Sequence, residues 1–60
     1  MTWLRTPNGG YVDPLEVIAA LPDSRIPNGS LALLQNGREI AIDDTPDRVW
    51  HAVMDARREA

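Results

Sequence analysis

Sixty residues form one domain at most, spanning 1–60, and a chain this short buries only about 60% of the surface its unfolded form exposes, which leaves little room for a deep pocket. With no cysteine and a single histidine, a disulfide staple and a zinc knuckle are excluded, so core packing or self-association must supply the stability. Nine carboxylates against six basic side chains, all of them arginine, give a net charge of −3, which argues against a general basic footprint for nucleic acid and favours a protein partner with a basic surface.

The N-terminal Met1 to Pro7 lacks the charged start and apolar run of a signal peptide, and no stretch approaches the roughly 20 apolar residues of a membrane span. A soluble protein of the bacterial cytoplasm is expected, and arginine without lysine suits a GC-rich bacterial or phage genome. Trp3 to Thr6 and Tyr11 to Asp13 flank Pro7-Asn8-Gly9-Gly10 and read as a first hairpin, with Pro7 kept to the loop because it cannot donate to a ladder. A two-residue loop at Asn8-Gly9 turns Leu4 and Tyr11 inward; one at Gly9-Gly10 turns Trp3 and Val12 inward.

Residues 14 to 21 carry two signals. Asp13-Pro14-Leu15-Glu16 has a capping residue, proline at the first helical position and an acid in the first turn, whereas Val17-Ile18 suits a buried strand and Pro22 ends the segment after two turns. Helix and strand both stay open here. Asp23 to Ser30, with Pro27-Asn28-Gly29, reads as a loop that holds a few extended residues around Arg25-Ile26.

Leu31-Ala-Leu-Leu-Gln35, Asn36-Gly37 and Arg38-Glu-Ile-Ala-Ile42 read as a second hairpin. A two-residue Asn-Gly loop sets Gln35 opposite Arg38, Leu33 opposite Ile40 and Leu31 opposite Ile42, which gathers the large β-formers other than Leu34 on one face. In the C-terminal segment Thr45 can cap, Pro46 fits the first turn, Asp47 suits the positive end of the helix dipole, and Arg57 and Arg58 suit the negative end. A helix from about Thr45 to Arg58 would bury Val49, Trp50, Val53 and Met54, flanked by Ala52 and Ala56, across the apolar face of the sheet. The expected fold is α+β: a small antiparallel sheet of four to five strands with one C-terminal helix packed on it.

Chemistry-bearing residues are few. His51 is the one candidate general base, with Asp47 and Asp55 at i−4 and i+4, but nothing ties it to Ser24 or Ser30, and a solvated helix-face histidine is the simpler reading. Asp43, Asp44 and Asp47 could hold a divalent ion, although Thr45-Pro46 makes them look like the start of a helix and the EF-hand spacing is absent. Asn8-Gly9-Gly10 lacks the lysine and the spacing of a phosphate loop. No catalytic residue, cofactor or metal ligand is assigned. Trp3 is expected in the core; left exposed, it would be the best partner anchor. The remaining candidates are carboxylates that could stand in for duplex phosphates on a basic channel: Asp13, Glu16 and Asp23 in the first half, and Glu39, Asp43, Asp44, Asp47 and Asp55 in the second.

In size, acidity, lack of catalytic groups and apparent architecture the chain resembles the short phage-encoded anti-CRISPR proteins that inhibit type I surveillance complexes. That resemblance implies a monomeric, non-catalytic DNA mimic that binds a basic surface of a CRISPR-Cas effector subunit and touches neither nucleic acid nor membrane. Asn8-Gly9, Val12-Asp13-Pro14, Ile18, Leu21-Pro22-Asp23, Leu31-Ala-Leu33, Asn36-Gly37 and the C-terminal helix look, over most of the length, like the small FlbD-like flagellar motility proteins. The chain departs from their lysine-rich, Phe/Tyr-containing strands. This second resemblance implies a regulatory protein-interaction module.

Overall fold

The computed structural model describes residues 2–60 and runs β1 (Leu4–Arg5), β2 (Tyr11–Val12), a single 3-10 turn (Pro14–Glu16), β3 (Val17–Pro22), β4 (Ser30–Leu34), β5 (Glu39–Ile42) and α1 (Pro46–Glu59). β1 and β2 form a two-stranded ribbon, β3-β4-β5 a three-stranded sheet, and every pairing is antiparallel. The two sheets are tied where the Asp43 N–H donates to the Arg5 carbonyl at 2.8 Å. With α1 on one face, this is the α+β architecture expected from the strand and helix patterns.

Both hairpin loops contain three residues where two were expected. The Thr6 N–H donates to Gly10 at 2.9 Å and the Gly9 N–H to Thr6 at 3.1 Å; likewise the Leu34 N–H donates to Arg38 and the Gly37 N–H to Leu34, both at 2.9 Å. Gly9 and Gly37 take φ of 90° and 85°, while neither Asn8 nor Asn36 has positive φ. The two-residue type I′ loop requires positive φ at both central residues, whereas a type I turn followed by a left-handed glycine requires it at one.

That extra residue moves each register by one. Ala32 pairs with Ile40 and Leu33 with Glu39, in place of the expected Leu33–Ile40 and Leu31–Ile42. Because side chains alternate across a strand, Ser30, Ala32 and Leu34 share the face of Ile40 and Ile42, and Leu31 and Leu33 point the other way. The first hairpin corrects similarly: Leu4 pairs with Val12 and both are buried, while Trp3 and Tyr11 are exposed. The third Asn-Gly pair works differently. Asn28 itself adopts φ of 57°, and the Gly29 N–H closes on the Ile26 carbonyl at 3.0 Å, with Pro27 ahead of the left-handed residue as in a type II turn.

Residues 14 to 21 satisfy both of their signals in succession. Asp13 accepts the Leu15 N–H at 2.9 Å and caps the 3-10 turn, after which the chain extends into β3. The Gln35 side chain and backbone N–H donate to Leu15 and Glu16, each at 2.9 Å, so the second hairpin loop is pinned to this turn. Between Val17 and Ala19 the pairing with β4 is irregular: Val17 opposes Leu34 and Ala19 opposes Leu33, so β3 advances two residues for one. Such a bulge lets Val17 and Ala20 both face the core, with Ile18, Ala19 and Leu21 on the outer side.

α1 begins where expected. Thr45 accepts the Arg48 N–H at 3.3 Å, Pro46 occupies the first helical position, and Arg57 and Arg58 lie in the last turn. Its buried stripe is Val49, Val53 and Ala56, packed on Val17, Ala32 and Ile42 with Leu4 and Val12 closing one side. β4 contributes Ser30, Ala32 and Leu34 to the helix-side face. Ser30, expected in a loop, is a wholly buried strand residue whose hydroxyl donates to the Asp44 carbonyl at 2.6 Å, so no polar group is stranded there. The buried stripe of α1 is narrow: Trp50, expected in the core beside Val49, falls on its flank at 39% exposed, with Met54 next to it at 40%.

Candidate functional site

Three aromatic residues serve the whole chain, and none of them is in the core: Trp3 is 49% exposed, Tyr11 65% and Trp50 39%. A small domain that builds its core from Val, Ile, Leu and Ala alone leaves its large amphipathic side chains for contact with something else.

Trp3 lies just ahead of β1, which the Asp43–Arg5 hydrogen bond fastens beside the end of β5. It lines a cleft of about 250 Å³ with Arg5, Asp43, Asp44, Arg48 and Ala52, on one flank of α1. Trp50 stands on the opposite flank, since at 100° per residue it points some 160° away from Ala52. The Arg57 guanidinium sits 5.2 Å from the centre of the Trp50 ring and donates to the Val17 carbonyl at 3.4 Å. This cation–π contact holds the indole in place and fastens the helix end to β3. Between the two tryptophans lies the solvent face of α1, carrying Asp47, Arg48, His51, Asp55 and Arg58.

The carboxylates proposed from the sequence divide into separate groups. Asp43 and Asp44 share the Trp3 cleft, and Asp47 and Asp55 lie on the adjoining helix face. Asp44 accepts the Thr45 N–H at 2.9 Å and approaches Arg48 at 3.9 Å, and Asp55 pairs with Arg58 at 3.3 Å. Among the described residues Asp43 and Asp47 make no ion pair. Asp13 and Glu16 belong to the 3-10 turn, which packs near the other end of α1. Glu39 points from the far face of the sheet. Asp23 is buried and committed to structure: it accepts the Arg25 backbone N–H at 2.9 Å and two guanidinium N–H groups at 3.1 Å, and those bonds hold its carboxyl below the ordinary carboxylate range.

Among the described residues no three His, Cys, Asp or Glu side chains are placed to hold a metal ion; Asp44 instead accepts the Thr45 N–H, and Asp47 lies in the first turn of α1. His51 is exposed on the outside of α1, whereas Ser30 is buried beneath it with its hydroxyl committed to Asp44. No helix among the described residues is long and apolar enough to cross a membrane.

Comparison with family models, curated proteins and solved structures finds no match. The tryptophan-bracketed helix face therefore rests on its own geometry. Sequence reasoning singled out Trp3, Asp43, Asp44, Asp47 and Asp55 and missed Trp50, Met54 and Arg57. The available signal was the i, i+7 spacing of Trp50 and Arg57, which stacks a cation on an indole one face over from the buried stripe.

Proposed function

We propose that this chain is a non-catalytic regulatory protein-interaction module of the FlbD-like kind, acting in the bacterial cytoplasm, and that it docks on a protein partner through the outer side of α1. The observation that carries this reading is the placement of both tryptophans on the two flanks of one helix, outside the core. Trp50, fixed under Arg57, and Trp3, set in the cleft beside Ala52, are preordered anchors. The unpaired Asp43 and Asp47 add negative charge near them, which suits a partner with a basic rim. The residues of the FlbD-like pattern also support the reading, because they occupy positions on which the fold turns: two glycines at positive φ, the Asp13 cap and the buried Asp23. Capture from a bacterial lysate, repeated with Trp3→Ala and Trp50→Ala, tests it. Each replacement is expected to weaken retention of the partner by about tenfold or more; an unchanged set of bound proteins in both variants overturns the docking face.

One observation favours a second reading, the phage-borne acidic inhibitor that occupies a basic nucleic-acid channel of a defence complex. Asp43, Asp44 and Asp47 stand together at the start of α1, two of them without an arginine. Under that reading Asp43→Arg with Asp47→Arg abolishes binding, and the loss mirrors that produced by high salt in the unaltered protein. Under the favoured reading these reversals cost less than either tryptophan replacement.

A further inference from the structure

The chain carries three Asn-Gly pairs, at 8-9, 28-29 and 36-37. Asparagine followed by glycine is chemically labile, because the glycine has no Cβ to screen its backbone nitrogen from the carbonyl carbon of the asparagine side chain. The fold sets the three pairs in different surroundings, and those surroundings decide which of them reacts.

Asn28-Gly29 is shielded. Gly29 is buried, its N–H is held by the Ile26 carbonyl at 3.0 Å, and the Ile26 side chain packs so closely that a Cβ added to Gly29 would stand 2.5 Å from it. Asn8-Gly9 is exposed but tied to the buried Thr6, whose hydroxyl donates to Asn8 Oδ1 and accepts the Gly10 N–H at 2.8 Å, and whose carbonyl accepts the Gly9 N–H at 3.1 Å. Asn36-Gly37 has neither protection. Both residues are exposed, and nothing lies within 4 Å of a Cβ added to Gly37. Among the described residues Asn36 Oδ1 is held only by the Arg38 N–H at 2.9 Å, and the Gly37 N–H only by the Leu34 carbonyl at 2.9 Å. Neither of those partners is a buried residue, so water can replace both bonds without opening the core.

We propose that Asn36-Gly37 is a self-modification site, where the folded chain loses ammonia ahead of the other two pairs. The Gly37 nitrogen, on giving its proton to hydroxide, attacks Cγ of Asn36. The new C–N bond closes a succinimide ring as the bond from Cγ to the side-chain nitrogen breaks, and that nitrogen leaves as ammonia after taking a proton from water. A further water opens the ring at either carbonyl and leaves aspartate or isoaspartate at position 36. The net change is one water consumed and one ammonia released. The site is remote from the docking side of α1, and the proposal goes beyond that role.

The two products differ in their effect on the fold. Aspartate keeps the acceptor for the Arg38 N–H and adds one negative charge to the net −3. Isoaspartate puts an additional methylene into the main chain ahead of Gly37, within the loop that sets Leu33 opposite Glu39. Because register decides which face of β4 is buried, the isoaspartate form is the less stable of the two.

Incubation of the full chain at mildly alkaline pH, with peptide mass spectrometry following each Asn-Gly pair separately, tests the proposal. Asn36 is expected to convert first, about fivefold or more ahead of Asn8 in keeping with one fewer hydrogen bond to open, and Asn28 to trail both. In concentrated urea the three rates are expected to converge. Thr6→Val, which removes the hydroxyl that holds Asn8, is expected to raise the Asn8 rate towards that of Asn36 and to leave Asn36 unchanged; Asn36→Asp removes the leading conversion. Conversion led by Asn8 or Asn28 in the native chain, or the same ratio of rates with and without urea, overturns the proposal. The comparison of native and urea-treated unaltered chain decides the matter even if Thr6→Val does not fold.

Discussion

The two faces of the β3-β4-β5 sheet are nearly equal in apolar content and opposite in fate. The helix-side face carries Val17, Ala20, Ala32, Leu34, Ile40 and Ile42; the outer face carries Ile18, Ala19, Leu21, Leu31, Leu33 and Ala41. What separates them is the register that the three-residue loop imposes: Val49 and Val53 of α1 cluster with Val17, Ala32 and Ile42, and Leu31 and Leu33 are left on the other side. Burial here follows register as well as hydrophobicity, because a shift of one residue exchanges the two faces of a strand.

Substitutions on the two faces should therefore differ sharply. Ile42→Ala, which empties a fully buried site under α1, is expected to cost about 3 kcal/mol in chemical denaturation, a large fraction of what so small a domain possesses. Gly37→Ala attacks the turn that assigns β4 its faces: nothing lies within 4 Å of an added Cβ, but φ of 85° is costly for any other residue, so a loss of about 1–2 kcal/mol is expected. A stability unchanged by Gly37→Ala would mean that the loop has gone over to another turn and that the face assignment does not depend on it. Thr45→Ala removes the helix cap and is expected to cost about 1 kcal/mol, read as a lower melting temperature with the sheet register intact by NMR.

Leu33→Thr on the outer face should change monomer stability by no more than about 0.5 kcal/mol, since threonine brings a branched Cβ that suits a strand. A loss as large as that at Ile42 would erase the distinction between the faces. The effect of Asp23 depends on pH. Arg25 hydrogen bonds hold this carboxyl below the ordinary 3.8, so its contribution is complete above that value and disappears as the pH falls through the lower folded value. Asp23→Asn is expected to flatten the acid side of the stability curve below pH about 4, measured by urea titrations at several pH values.

Much of the architecture was legible because it rests on local chemistry. Asp13-Pro14 and Thr45-Pro46 place caps by hydrogen bonds that span two or three residues, and the structure has both. The competing signals at residues 14 to 21 were real, and a 3-10 turn followed by a strand satisfied each of them. Of the candidate site, Trp3, Asp43 and Asp44 come together in one cleft, while Asp13, Glu16, Asp23 and Glu39 are dispersed to other parts of the fold. Trp50 was misplaced because helical periodicity gives the direction of the apolar stripe and not its width; the width depends on what lies beneath it.

By itself the sequence determined Asn-Gly turns at three places, two hairpins, a capped helix at the end and a small core. Only the tertiary structure decided the loop length at Asn8-Gly9 and Asn36-Gly37, the bulge in β3, and hence which residues are inside. β4 has apolar side chains on both of its faces, so its pattern reads equally well in either register. The three-residue loop breaks that tie, since Gly37 at positive φ sets Leu33 opposite Glu39 and so puts Ala32 and Leu34 with Ile40 and Ile42 on the side of α1.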